Sequence, residues 1–148
     1  MIYGAATLSV FGLAGLSRFL VGKTANSILI AATTLFIGWV WTVGTQMLVP
    51  RNQPTLSYAY LDVLSISAIL YVNLVYGPKL WSICLWLTFL VQLLIHLEFV
   101  PSMIFAPNGV AYMWWLNSIF VVQLAIVTLQ SIRLLVGKYS HARVDRHS

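Results

Sequence analysis

The sequence predicts an all-α fold, a polytopic bundle of transmembrane helices in a single domain. Of the 148 residues, 60% are hydrophobic and only 7% are charged, and the mean hydropathy is +0.89. The apolar residues also fall into long runs separated by short breaks. A water-soluble domain of this size needs a polar exterior, whereas a membrane bundle needs polar residues only at its ends and at a few interior positions. Lipid is therefore the predicted solvent.

Five apolar segments follow one another, and each is long enough to cross an apolar core of about 30 Å as a helix. Their predicted bounds are 2–21, 26–49, 55–76, 80–100 and 111–136. Glycine, proline and asparagine separate them, at Gly22, Pro50, Pro54, Gly77, Pro78, Pro101, Asn108 and Gly109. Together they predict a transmembrane domain over residues 1–138, followed by a basic tail over residues 139–148.

The first segment is rich in small residues, which lowers its hydrophobicity but permits close approach of another helix. Gly4, Phe11, Gly15 and Gly22 share one helical face, as expected where a neighbour packs tightly. A re-entrant first segment, which would leave four spans, is the alternative.

The third and fourth segments carry polar stripes. On the third segment, Asp62 lies about seven residues from the start, roughly 10 Å deep as a helix, and a carboxylate at that depth needs a partner. The polar residues that share its face are Tyr58, Ser65, Asn73 and Tyr76. On the fourth segment one face carries Trp81, Cys84, Thr88, Gln92 and His96. The two stripes predict a shared polar interior.

Near the outer surface we expect Asp62, His96, Glu98 and Arg51 to come within reach of one another. A carboxylate beside an imidazole can relay protons or bind a cation, and it can equally be a structural ion pair or hydrogen bond. Because the side chains of His96 and Glu98 point in nearly opposite directions on a helix, no metal site is predicted.

The fifth segment carries polar residues on two faces, Asn117, Thr128 and Ser131 on one and Tyr112, Gln123 and Gln130 on the other. Amide side chains often join membrane helices by hydrogen bonds. Two polar faces predict two partners, of which the second would be another copy of the chain or another membrane subunit.

The motifs RFLVGK (18–23) and RLLVGK (133–138) mark the ends of the first and fifth segments, where Gly22 and Gly137 are expected to end the helices. With alternating spans, all basic residues except Arg51 fall on one side: Arg18, Lys23, Lys79, Arg133, Lys138, Arg143 and Arg146. This bias predicts a cytoplasmic carboxyl terminus, an outside amino terminus and contacts of these cations with lipid headgroups. The tail is expected to bind anionic lipids.

So little of the chain lies outside the apolar segments that no soluble catalytic domain fits, and neither catalysis nor a cofactor is predicted. The scattered cations do not predict nucleic-acid binding. The leading hypothesis is a transport or channel protein, oligomeric, with a polar pathway or helix contacts at Asp62, Asn73, Gln92, His96, Glu98, Asn117 and Gln123. The main alternative is a structural or accessory subunit of a larger membrane complex, and a third is a membrane-embedded enzyme or a pore-forming lysis protein.

Overall fold

The computed structural model describes residues 2–48, 54–97 and 109–144, and within these ranges the chain is helical with no strand. The α-helices are α1 (Ile2–Val21), α2 (Asn26–Leu48), α3 (Pro54–Tyr76), α4 (Leu80–His96) and α5 (Gly109–Val144). A short 3₁₀ turn, Gly22–Ala25, joins α1 to α2. The predicted all-α class is confirmed.

The helix ends follow from local chemistry. Gly22 (φ 83°) and Gly77 (φ 77°) directly follow α1 and α3 in the left-handed conformation that glycine adopts without steric penalty. Pro54 occupies the first position of α3, where a missing N–H is tolerated. At the start of α4 the backbone N–H of Lys79 donates to Ser82 Oγ at 3.2 Å, which is half of a capping box.

Two predicted helix ends differ from the structure. Helix α5 continues through Gly137 for a total of 36 residues, so the prediction that Gly137 ends it is wrong. An isolated glycine costs a helix only about 1 kcal/mol relative to alanine, and no proline follows it. Helix α4 was expected to reach residue 100, but it ends at His96 with a turn at Leu97.

Consecutive helices pack antiparallel. The aromatic rings of Phe11 on α1 and Phe36 on α2 stack with centroids 5.1 Å apart, on either side of the Gly22–Ala25 turn. Thr45 near the end of α2 meets Tyr58 near the start of α3, and α3 pairs with α4 at Asp62 with His96 and at Asn73 with Ser82, so these helices are antiparallel too. The described chain is thus an up-and-down bundle.

Helix α5 closes the bundle by returning against α1. The ring of Tyr3 meets that of Phe120 at 6.3 Å, and Ser17 Oγ lies 3.4 Å from the carbonyl oxygen of Ser131. Because positions increase together along both helices, α1 and α5 run parallel. Helices α1, α3 and α5 therefore point toward the same end of the bundle. We call it the basic end because Arg18, Lys23, Lys79, Arg133 and Lys138 lie there.

The bundle buries small and polar residues beside large apolar ones such as Ile69 and Leu85, and it also exposes many large apolar side chains. The buried small residues include Ala14, Ala25, Ala31, Ala32, Ser17, Ser65, Ser82 and Ser131. Large apolar side chains are exposed on every helix, for example Phe19, Ile37, Leu74, Leu87 and Leu129. In water such a surface would be unstable, whereas lipid tails solvate it without cost.

Three stretches are long and apolar enough to cross a membrane: Tyr3–Thr45, Ser57–Tyr76 and Trp114–Ser140. The first contains both α1 and α2, and Leu80–His96 is a shorter apolar helix. Length and composition thus agree with a helical membrane protein.

Candidate functional site in the polar interior

Three side-chain pairs connect α3, α4 and α5 inside the bundle. We call them together the polar ladder and each pair a rung. They are Asp62 with His96, Gln92 with Gln123, and Asn73 with Ser82. Along α4 the ladder extends from Ser82 to His96, about 21 Å at 1.5 Å per residue. Helical spacing places these side chains on inward faces, as the polar stripes predict.

Asp62 and His96 form the rung furthest from the basic end. The side chains are 3% and 5% exposed, and His96 Nδ1 is in direct hydrogen-bond contact with Asp62 Oδ2. Which of the two groups donates in this hydrogen bond depends on the protonation and tautomer of the imidazole. The predicted approach of these two residues is confirmed.

Residues of α2 and α3 flank this rung. The ring of Tyr58 lies 5.6 Å from that of His96 between centroids, and Thr45 Oγ1 lies 3.2 Å from the Tyr58 hydroxyl. Three helices therefore orient the pair, which sits eight residues, or about 12 Å, from the start of α3.

Gln92 and Gln123 form the second rung, one helical turn closer to the basic end. Gln123 is fully buried, and its Nε2 donates to Gln92 Oε1 at 3.0 Å. The remaining oxygen, Gln123 Oε1, is buried and has no hydrogen-bond donor from the described part of the protein. A buried acceptor left without a donor costs about 1–3 kcal/mol, so this atom requires an explanation.

Asn73 and Ser82 form the third rung, near the basic end. The Ser82 hydroxyl lies 2.5 Å from Asn73 Oδ1, and Ser82 Oγ accepts the Lys79 N–H that begins α4. This rung ties the end of α3 to the start of α4, which is a structural task. Sequence reasoning did not include Ser82, although its position three residues after Lys79 is a capping signal.

Other candidate residues lie outside the ladder. Asn117 is half-buried on α5, six residues before Gln123, and Cys84 is half-buried on α4. Glu98 and Arg51, which were expected near Asp62, lie outside the described residues, as does Arg146.

The two polar faces assigned to α5 border one buried stripe. Over residues 114–140 of this helix, where burial is described, the buried residues are Gln123, Leu124, Val127 and Ser131. Gln123 belongs to one predicted face and Ser131 to the other, yet both are fully buried within a single chain. One residue of each face is thus buried within the chain, whereas Asn117, Thr128 and Gln130 are half-buried. The expectation of a second partner for this helix stays a prediction.

The described cations gather at one end of the bundle, which gives the basic end its name. Arg18, Lys23, Lys79, Arg133 and Lys138 lie where α1 and α3 end, and Arg143 follows in the last turns of α5. The Lys138 ammonium donates to the carbonyl of Leu20, at a helix terminus where cations are favoured. Among the described residues the only carboxylate is Asp62, which lies toward the opposite end.

The ladder offers a titratable pair and amide groups but not a metal cluster. Within residues 2–48, 54–97 and 109–144, no three His, Cys, Asp or Glu side chains come together as metal ligands. The arrangement can hold and pass protons, orient small polar ligands, or join helices. Comparison of the chain with protein-family models, with curated proteins and with solved structures gives no match.

Proposed function

We propose that this protein is a small integral membrane protein of the transport or channel type, with the polar ladder as its internal path. The carrying observation is the buried contact of Asp62 with His96 inside a bundle whose surface exposes many large apolar side chains. Ionisable groups are costly at such depth and typically mark ion or substrate routes in membrane proteins. The amide pair of Gln92 and Gln123 continues the polar groups inward from this contact.

All five helices cross the membrane in this proposal. Helices α1 and α2 have 20 and 23 residues, about 30 and 35 Å, and α4 has 17 residues, about 26 Å. Helix α1 contacts α5 near both of its ends, at Tyr3 with Phe120 and at Ser17 with Ser131, which supports a full crossing by α1 over a re-entrant path. The basic end faces the cytoplasm, because lysine and arginine concentrate on that side.

Labelling of intact cells tests this arrangement. In a Cys84→Ser background, Lys79→Cys and a carboxyl-terminal tag should both be protected from membrane-impermeant reagents, and Tyr3→Cys should react. Lys79→Cys and the carboxyl terminus on opposite sides of the membrane would overturn the five-span topology.

Flux in proteoliposomes tests the path. Asp62→Asn should abolish or uncouple transport because it removes the only described carboxylate in the bundle while keeping its shape. Ser67→Ala is a matched control on the same helix, since the exposed Ser67 hydroxyl donates only to its own helix at Val63. Unchanged flux in Asp62→Asn would remove this residue from the mechanism.

One observation favours the second candidate, an accessory subunit of a larger membrane complex. Helix α5 continues for six residues past Lys138, the residue that contacts the end of α1. This extension is about 9 Å long and offers a surface for another chain. Native mass spectrometry after mild solubilisation separates the proposals: bound unlike subunits support the accessory role, and a homo-oligomer or a lone chain with flux supports transport.

A further inference from the structure

The unsatisfied oxygen Gln123 Oε1 indicates which species is transported through the bundle. It is buried and has no hydrogen-bond donor among the residues that the structure describes, while the nitrogen of the same amide donates to Gln92. The level of this amide pair therefore has two amide oxygens, Gln92 Oε1 and Gln123 Oε1. A small hydrogen-bond donor at this position would satisfy the second oxygen.

From this geometry we propose that the amide pair binds a water molecule that connects to the Asp62–His96 pair, and that the transported species is the proton. This inference rests on the proposed transport function and names its substrate. Gln92 and His96 are four residues apart on α4, so their side chains share a face about 6 Å apart along the helix axis. One or two water molecules bridge such a distance by hydrogen bonds.

The oxygen atoms available at this level favour a proton over a metal cation as the transported species. A bare metal cation needs several oxygen ligands in place of its hydration shell, as the carbonyl rings of potassium channels provide. At this level the described residues offer two amide oxygens, and the carboxylate of Asp62 is already in contact with His96. A proton needs only a chain of hydrogen bonds and a group that can hold it in transit.

The proton step balances without another reactant. A hydronium ion at the amide pair gives one proton to the Asp62–His96 pair and becomes water, and the reverse transfer restores it. Among the described residues, the titratable side chain that faces the pair from α3 is Tyr58, and α2 contributes the neutral hydroxyl of Thr45. The amides orient the water and do not change their own protonation.

The test uses the full chain in phosphatidylcholine vesicles with a pH-sensitive dye inside. We expect proton flux under a pH gradient, with potassium and valinomycin clamping the potential, and no flux of sodium ions under an equal gradient. Gln123→Leu should lower proton flux about tenfold, because it removes the acceptor that holds the water. Gln130→Leu, an amide replacement seven residues along α5, is the matched control and should leave flux unchanged.

The outcomes separate this inference from the proposed function. Sodium flux without proton flux overturns the inference and leaves transport standing, whereas no flux of either ion overturns transport itself. Proton flux that is the same in Gln123→Leu and wild type overturns the role of the water. If Gln123→Leu does not fold, Gln123→Met, which keeps the length of the side chain but has no amide oxygen, is held to the same criterion.

Discussion

The two helical hairpins of this bundle solve the same packing problem by different means. In the α1–α2 hairpin, small residues and aromatic rings meet, with Ala14, Ala31 and Ala32 buried and Phe11 stacked on Phe36. In the α3–α4 hairpin, side chains bond across the helices, at Asp62 with His96 and at Asn73 with Ser82. Both hairpins have apolar packing, as at Ile69 and Phe89 in the second, and the second adds buried side-chain bonds between its helices.

The hydroxyl groups show the contrast most clearly. In α1 and α2, the hydroxyls of Thr7, Thr33 and Thr34 donate to carbonyls one turn earlier on their own helices. They therefore need nothing from a neighbour. Asp62 and Asn73 of α3 instead bond to side chains of α4, so that hairpin combines structural and chemical tasks. The hydroxyls of Ser67 and Thr88 in the same hairpin still bond within their own helices. Breaking each type of contact should have different consequences.

The largest effect is expected from His96→Leu. It leaves Asp62 buried without its partner, and breaking a buried pair from one side typically costs about 3–5 kcal/mol. The double variant Asp62→Leu/His96→Leu should recover much of this loss, because apolar residues replace the whole pair. Unfolding free energies from SDS titration followed by circular dichroism measure both. A His96→Leu protein as stable as wild type would show that the contact does not hold the hairpin.

The second effect tests the hairpin held by packing. A Cβ atom added at Gly4 would lie 2.6 Å from Cζ2 of Trp39, so Gly4→Ala forces the indole ring to shift. Overpacking of this kind typically costs about 1–3 kcal/mol. Gly12→Ala on the same helix is the control, because its added Cβ meets nothing within 4 Å. Gly4→Ala should regain stability in a Trp39→Phe background, and equal losses in both backgrounds would contradict this explanation.

Sequence reasoning found the contacts that local rules determine. Helical spacing and the cost of an intramembrane carboxylate were enough to place Asp62 beside His96, and glycine and proline marked the ends of α1 and α3. The prediction that Gly137 ends α5 was wrong because a single glycine destabilises a helix only slightly when the residues on both sides favour the helix. The pairing of Gln92 with Gln123 depends on how α5 rotates against α4, which no single-helix pattern records.

A smaller effect distinguishes hydroxyls that bond across helices from those that bond within one. Ser82→Ala removes the contact with Asn73 and the acceptor for the Lys79 N–H, so it should cost about 1 kcal/mol of unfolding free energy. Ser9→Ala is the matched control: this exposed hydroxyl donates only to the Ala5 carbonyl of its own helix, and the change should stay within about 0.5 kcal/mol. Equal losses in the two variants would remove the contrast between the hairpins.

The smallest effect on stability is expected at the amide pair of Gln92 and Gln123. The size of this effect separates a structural role of the pair from a role in transport. A double-mutant cycle of Gln92→Leu and Gln123→Leu should give a coupling of about 0.6 kcal/mol, typical of interhelical hydrogen bonds in membranes. An amide pair kept only to join helices would affect stability and flux to a similar, small degree. A coupling this small beside a large loss of proton flux would mean that the pair serves the path, whereas a coupling of several kcal/mol with unchanged flux would assign it to structure.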